Sequence, residues 1–286
     1  MITRRLSANG LTFTLDETGE GDTVALLLHG FPEARESWRE QLASLAGLDW
    51  RVAAPDLRGY GETSRPSRKS AYRIERLVDD VAALFNALGA RRRVLIGHDW
   101  GGVIAWQAAL RQWVPFDGLV VINAPHPAVF EQALRGWEQR RRSWYVLFFL
   151  LPLLPELQLR WNRGQGLVSA LRRQTSKFPD DLLETYRRNV LAPGAATAML
   201  NYYRANAIDM VTSPVSGERL STPTLMIWGE ADEALSLGLT EGNEAFVQDF
   251  TLRRLPGVSH WVQQDAPQAV NAAIAEWAAA KGLGVS

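Results

Sequence analysis

The chain has 286 residues, 47% of them apolar and 22% charged, with 31 basic side chains balancing 31 acidic ones and no cysteine. This composition excludes disorder, collagen and a pure coiled coil, and the even charge leaves no global field to gather nucleic acid or an anionic membrane. The missing cysteines exclude a disulfide framework, thiolate metal sites and a Cys nucleophile together. From Met1 to Ser7 the chain runs into polar residues instead of an apolar signal core. The longest greasy stretch, Trp144 to Pro155, is twelve residues broken by Pro152, whereas a span needs about 20. The expectation is a cytoplasmic protein, monomer or homodimer, with no nucleic-acid partner and no membrane span.

Val24-Ala25-Leu26-Leu27-Leu28 is a short apolar run stopped by His29-Gly30, the pattern of a strand buried on both faces. Val52 to Ala54, ending at Pro55-Asp56, predicts a second strand. A helix follows from Ile74 to Leu88, with Leu77, Val81, Leu84, Phe85 and Leu88 on one side and Gly89 as its stop. Val94-Leu95-Ile96 reads as a third strand, Gly102 to Leu110 as an apolar helix, and Leu119 to Ile122 as a fourth strand. Such alternation implies a mostly parallel sheet flanked by helices.

After Asn123-Ala124-Pro125-His126-Pro127 the rhythm breaks. From Ala128 to Leu220 only helical patterns occur, carrying 13 basic and 8 acidic residues, read as a solvated helix surface that includes Arg140-Arg141-Arg142. Strands return at Thr224 to Trp228 and at Thr251 to Leu255, and an Ala-rich helix from Pro267 to Lys281 closes the chain. The expected organisation is a core of residues 1–127 and 221–286 with an all-helical insertion at 128–220.

The most informative stretch is Gly97-His98-Asp99-Trp100-Gly101-Gly102, where a buried strand passes at once into a helix. In α/β-hydrolases this tight turn normally holds a serine between glycines that relieve crowding; here Asp99 stands at its tip, and no Gly-x-Ser-x-Gly occurs. An ionised carboxylate needs no base to activate it. It can displace at a saturated carbon and form an ester, which water can then cleave at the carboxyl carbon. The plain alternative is a helix-capping Asp.

His29-Gly30-Phe31-Pro32-Glu33 directly follows a buried strand, the place where this fold sets its second oxyanion amide. The N–H groups of Phe31 and Trp100 would then face the oxyanion. An acid and a histidine are expected in that chain order after the nucleophile. Gly229-Glu230-Ala231-Asp232 ends one strand, and Gly257-Val258-Ser259-His260 follows the last, one strand and one helix further on. Asp232, with Glu230 as its rival, would orient His260, which would take a proton from water.

These motifs, with Asp56-Leu57-Arg58-Gly59-Tyr60-Gly61, resemble the epoxide hydrolase branch of the α/β-hydrolase superfamily across nearly the whole chain. The resemblance implies an α/β-hydrolase fold, a helical lid over the nucleophile, a cis bond between Phe31 and Pro32, and two lid tyrosines that bind the epoxide oxygen. Tyr203, with Tyr202 as a rival, matches the second tyrosine, and Tyr145 is placed like the first. A phenol stays protonated at neutral pH and can donate to the alkoxide that ring opening creates.

Trp100, Phe148 and Phe149 are expected at the substrate, with packing alone as the alternative for Trp100. Trp144, Phe148, Phe149, Leu150 and Leu151 would line an apolar cavity beneath the lid or equally form the lid's own core or a dimer face. His98 and His126 read as structural. No phosphate loop and no metal-ligand spacing occurs, so neither a cofactor nor a metal is expected; the partners are a small apolar epoxide and water. The alternatives are a haloalkane or haloacid dehalogenase using the same Asp99, His260 and acid, and a catalytically inactive ligand-binding protein on this fold.

Overall fold

The computed structural model describes residues 1–112, 114–207 and 219–284. Strands β1 (Ile2–Ala8) and β2 (Leu11–Thr18) open the chain, followed by β3 (Thr23–Leu28), α1 (Arg39–Ala46), β4 (Trp50–Pro55), α2 (Ile74–Ala87), β5 (Arg92–His98), α3 (Trp100–Arg111) and β6 (Gly118–Ile122). Helices then succeed one another: α4 (Pro127–Ala133), α5 (Trp137–Arg142), α6 (Trp144–Leu150), α7 (Leu154–Gln174), whose backbone is non-helical at residues 161–164 and so divides it in two, α8 (Asp180–Leu191) and α9 (Ala195–Asn206). Strands β7 (Thr224–Gly229) and β8 (Phe250–Leu255) return to the sheet, and α10 (Pro267–Ala280) covers it. Residues 208–218 of the expected insertion lie outside the described residues.

The strands form one eight-stranded sheet in the order β1-β2-β4-β3-β5-β6-β7-β8. From β4 to β8 every pair is parallel, whereas β1 and β2 are antiparallel. The apolar runs have a simple cause, since both faces of the sheet are covered. Ala25, Leu27, Val94, Ile96, Val120 and Ile122 pack on one side against Ile274 and Trp277 of α10. Leu26, Leu28, Leu95 and Val121 pack on the other against α2, α3 and the inserted helices. Strand order reverses at β3 and β5, the point where an open α/β sheet leaves a crevice beyond its strand ends.

The structure adds one element to the sequence reading and corrects another. The sequence reading names no element before Val24; there β1 and β2 form a hairpin whose turn is Asn9-Gly10, both with positive φ, the two-residue turn that suits strand twist. Between Asp232 and β8 a helix was expected; two short 3-10 turns, Leu237–Thr240 and Asn243–Ala245, stand there instead. Gly242, with φ 81° between them, breaks any helical continuity. Among the described residues no helix is long and apolar enough to cross a membrane.

The hairpin is pinned to the core by a buried ion pair. Asp80 of α2 accepts from Arg58 Nε at 2.8 Å and Nη2 at 2.6 Å, and from Asn9 Nδ2 at 2.7 Å. Removing one partner strands the other charge away from water. Asp80→Ala should therefore cost about 3–5 kcal/mol, seen as a lower midpoint in urea unfolding; an unchanged midpoint would deny the pair that role.

Candidate active site

Asp99 joins β5 to α3 with φ 50° and ψ −119°, a conformation costly for a residue with a Cβ. The neighbouring glycines explain why this turn can exist. A Cβ at Gly97 would stand 2.3 Å from the Gly101 carbonyl oxygen, and one at Gly101 2.0 Å from that of Leu28. A Cβ at Gly30 would come within 2.5 Å of the Asp99 Cβ. Three chain segments thus meet at van der Waals limits. The Asp99 side chain makes no capping hydrogen bond to α3, so the helix-cap reading fails. One carboxylate oxygen instead accepts from the Phe31 N–H at 2.7 Å, and the other lies 3.6 Å from His260 Nε2. The bond between Phe31 and Pro32 is cis.

His260 follows β8 and turns its Nδ1 to Asp232 Oδ2, 2.6 Å away. The other Asp232 oxygen accepts from the N–H groups of Ala234 and Leu235 at 2.7 and 2.9 Å. Glu230, two residues earlier, faces Arg254 at 3.9 Å instead. Burial alone would raise the Asp232 carboxyl, but His260, then the Asn123 amide and the Leu235 N–H, hold it below its usual range. Burial alone would likewise raise Asp99; the proximity and charge of His260, with help from His98 and the Phe31 amide, outweigh it and lower the group. For His260 burial acts downward, and Asp232 and then Asp99 lift it well above an ordinary imidazole. Two carboxylates therefore share one histidine.

On the lid side, the Tyr203 ring lies edge-on to Trp100 at 5.0 Å, to Phe31 at 5.3 Å and to Phe149 at 4.9 Å. Tyr145 stands 6.3 Å from Tyr203. Burial first, and then the Asp99 charge, push both phenols up, so both feel the same carboxylate and stay protonated at neutral pH. Tyr202 turns away and donates to the Arg58 carbonyl at 2.8 Å. Phe149 packs on Phe31 at 5.1 Å, and Phe148 reaches this group through Phe149 at 6.0 Å. Trp144, Leu150 and Leu151 are exposed, contrary to the expectation that they line the cavity. At about 3.6 residues per turn, Tyr145 and Phe149 share the inner face of α6 and Trp144 and Leu150 fall outside it, while Leu151 follows the helix on extended backbone.

Several polar residues at the site were not singled out from the sequence. Asn123, with φ 41°, accepts from the Gly229 N–H at 2.8 Å and donates to Asp232 Oδ2 at 2.5 Å. Its one signal was an Asn at a strand end, where positive φ is tolerated. Buried Gln139 of α5 donates to the Ala234 carbonyl and accepts from the Ser236 N–H, both at 3.0 Å. Arg142 donates to the carbonyls of Asp232 and Glu233 at 2.9 and 3.2 Å, so it does not simply face solvent. Behind the nucleophile, His98 is held between Glu33 at 2.8 Å and the His260 carbonyl at 2.9 Å. A carbonyl only accepts, so His98 Nε2 carries a hydrogen there. His126 stacks on Phe246 at 4.4 Å, and burial lowers its imidazole to about 4.

A family model described as alpha/beta hydrolase fold matches residues 24–267. Epoxide hydrolase 4 of Mus musculus is 38% identical over 284 residues, which cover 96% of this chain and 77% of that protein. The chain belongs to the epoxide hydrolase branch of the α/β-hydrolase superfamily. Among solved structures, an epoxide hydrolase from hot-environment metagenomes aligns with a TM-score of 0.87 and 34% identity, covering 96% of this chain and 98% of that one. A mutant epoxide hydrolase from Bacillus megaterium, complexed with a naphthyloxy-propanediol product, aligns at 0.88 and 28% identity, covering 96% and 99%. Membership of this branch agrees with a carboxylate, not a hydroxyl, at the elbow.

The shared histidine is open to measurement. Asp99→Asn removes one of the two charges that raise His260, so its imidazole should titrate at lower pH than in the parent protein, followed by the NMR shifts of its ring protons. An unchanged titration would mean that Asp99 and His260 are not electrostatically coupled.

Proposed function

We propose that this chain hydrolyses epoxides to vicinal diols through a covalent ester on Asp99, with residues 128–220 acting as a lid over a core of residues 1–127 and 221–286. The observation that carries this reading is the facing pair of surfaces around one carboxylate. Asp99 sits with Phe31 N–H on one oxygen and His260 beside the other, while two phenols that sense its charge lie on the lid side.

In the first step an Asp99 oxygen bonds to an epoxide carbon and the ring C–O bond breaks, its electron pair passing to oxygen. Tyr145 and Tyr203 donate to that oxygen as charge develops, which relieves the poor leaving-group character of an alkoxide. Trp100, Phe148 and Phe149 supply the apolar wall. Esterification then removes the Asp99 negative charge. His260 loses one of the two carboxylates that raised it, its proton affinity falls, and it gives up its proton, which replaces the one a phenol passed to the alkoxide. The neutral imidazole can then accept a proton from water while Asp232 steadies the imidazolium. Water adds to the Asp99 carboxyl carbon, and the N–H groups of Phe31 and Trp100 receive the oxyanion. Collapse breaks the bond to the substrate oxygen, which takes the proton of the newly formed carboxylic acid, so the diol leaves with Asp99 ionised and His260 protonated as at the start.

The Phe31 amide, already 2.7 Å from a carboxylate oxygen, supports this division of labour. So does Asp232, whose four hydrogen-bond partners leave it no freedom to leave His260.

A panel of aryl and alkyl epoxides beside haloalkanes tests the reading. Diol formation without halide release is expected. The double variant Tyr145→Phe, Tyr203→Phe should slow ester formation by about 10²–10⁴-fold, measured as the protein mass adduct in a single turnover, whereas Tyr202→Phe should leave that step unchanged. Halide release from haloalkanes with no diol from any epoxide would turn the assignment to a dehalogenase.

A further inference from the structure

Helix α6 reads Trp144-Tyr145-Val146-Leu147-Phe148-Phe149-Leu150, seven residues with no charge on any side. A helix that is apolar all round belongs in a core or against lipid, yet none of these seven is fully buried. Tyr145 and Phe149 turn inward to Tyr203, which leaves the opposite face uncovered. That face continues into α7. Trp144, Leu147, Leu153, Leu154, Leu157 and Trp161 are each more than half exposed. The two helices are held together by Arg204, which donates to the carbonyls of Phe149 and Leu151 at the end of α6 and pairs with Glu156 of α7. Beside Leu153 and Leu157 a groove of about 380 Å³ opens, with Ala196 also in its wall and Arg160 among its lining residues.

The unpaired charge along this face is positive. Every described acid of the inserted helices is spent in an ion pair: Glu131 with Arg135, Glu138 with Arg142, Glu156 with Arg204, Asp180 with Arg172, Asp181 with Arg39, and Glu184 with Arg187. Arg140, Arg141, Arg160 and Arg163 are exposed and, among the described residues, have no carboxylate partner. They bracket the exposed Trp and Leu residues in sequence. The even charge of the whole chain conceals this local surplus.

We propose that the outer face of the lid, from Trp137 to Arg163, docks on the surface of a bilayer that contains acidic phospholipids. Trp and Leu side chains with arginines at their flanks are what an interfacial, non-spanning helix needs. A second copy of the chain fits this face less well. A two-fold contact packs a patch against itself and would bring the unpaired arginines of both copies together. The purpose of docking rests on the epoxide reading: apolar epoxides partition into bilayers, and α6 would carry lipid contacts on one side and the substrate wall on the other. The docking itself does not depend on that reading.

Flotation with phosphatidylcholine vesicles, with and without phosphatidylglycerol, tests the proposal on the full chain. The protein should float with the anionic vesicles, less so as salt is raised. Binding should weaken at least about tenfold in Leu147→Ser, Leu157→Ser and in Arg141→Glu, Arg160→Glu, while diol formation from a water-soluble epoxide is retained. No flotation with anionic vesicles would overturn it, as would flotation that both variants leave untouched. A dimer in sedimentation velocity that the serine substitutions break, with no vesicle binding, would make this face a contact between copies and equally overturn it. Absence of diol with vesicle binding intact would count against the epoxide reading alone and support docking.

Discussion

A carboxylate on a backbone with φ 50° and ψ −119° is the constraint around which the rest of the site is arranged. The turn is possible because Gly97, Gly101 and Gly30 present no Cβ where Leu28, Asp99 and the start of α3 crowd together. Strain of this kind persists only when the surroundings over-determine it. Here the parallel strands do so: β3 and β5 pair from Thr23 with Arg92 to Leu28 with Gly97, and this register delivers the Phe31 amide to the Asp99 carboxylate. The fold therefore aims the nucleophile before any substrate is present, the preorganisation that lets fixed dipoles act without reorganising.

Electrostatics divides the work between the two halves of the reaction. His260 lies between Asp99 and Asp232, and its proton affinity depends on whether both carry charge. Chemistry at Asp99 switches one of them off. The acid loop in turn is held by residues of distant elements: Asn123 at the end of β6, and Gln139 and Arg142 on α5. Arg142 and Gln139 come from the same stretch of inserted helices that carries Tyr145. The same helices thus hold the loop of Asp232 and carry the Tyr145 phenol.

Much of this was legible in the sequence, for physical reasons particular to each element. Strands such as Val24 to Leu28 and Val94 to Ile96 are buried on both faces, so their apolar runs stand out. The elbow was legible because its sterics demand glycine at fixed offsets. The β1–β2 hairpin was missed: β1 is mostly exposed and carries Arg4 and Arg5, although Asn9-Gly10 was a turn signal. The inner and outer faces of α6 could not be told apart, because every position in it is apolar and periodicity has nothing to contrast. Asn123, Gln139 and Arg142 act on groups about 90 or more positions away in the chain, mostly on backbone atoms that leave no trace in side-chain pattern.

The central claim is a bond between Asp99 and substrate carbon, and oxygen bookkeeping in a single turnover tests it most directly. With enzyme in excess over epoxide in heavy-oxygen water, the oxygen added to the first diol should come from Asp99 and carry no label, and the label should appear in the Asp99 carboxylate. A labelled first diol with an unlabelled protein would mean that water attacks the epoxide itself, and the covalent account would fail.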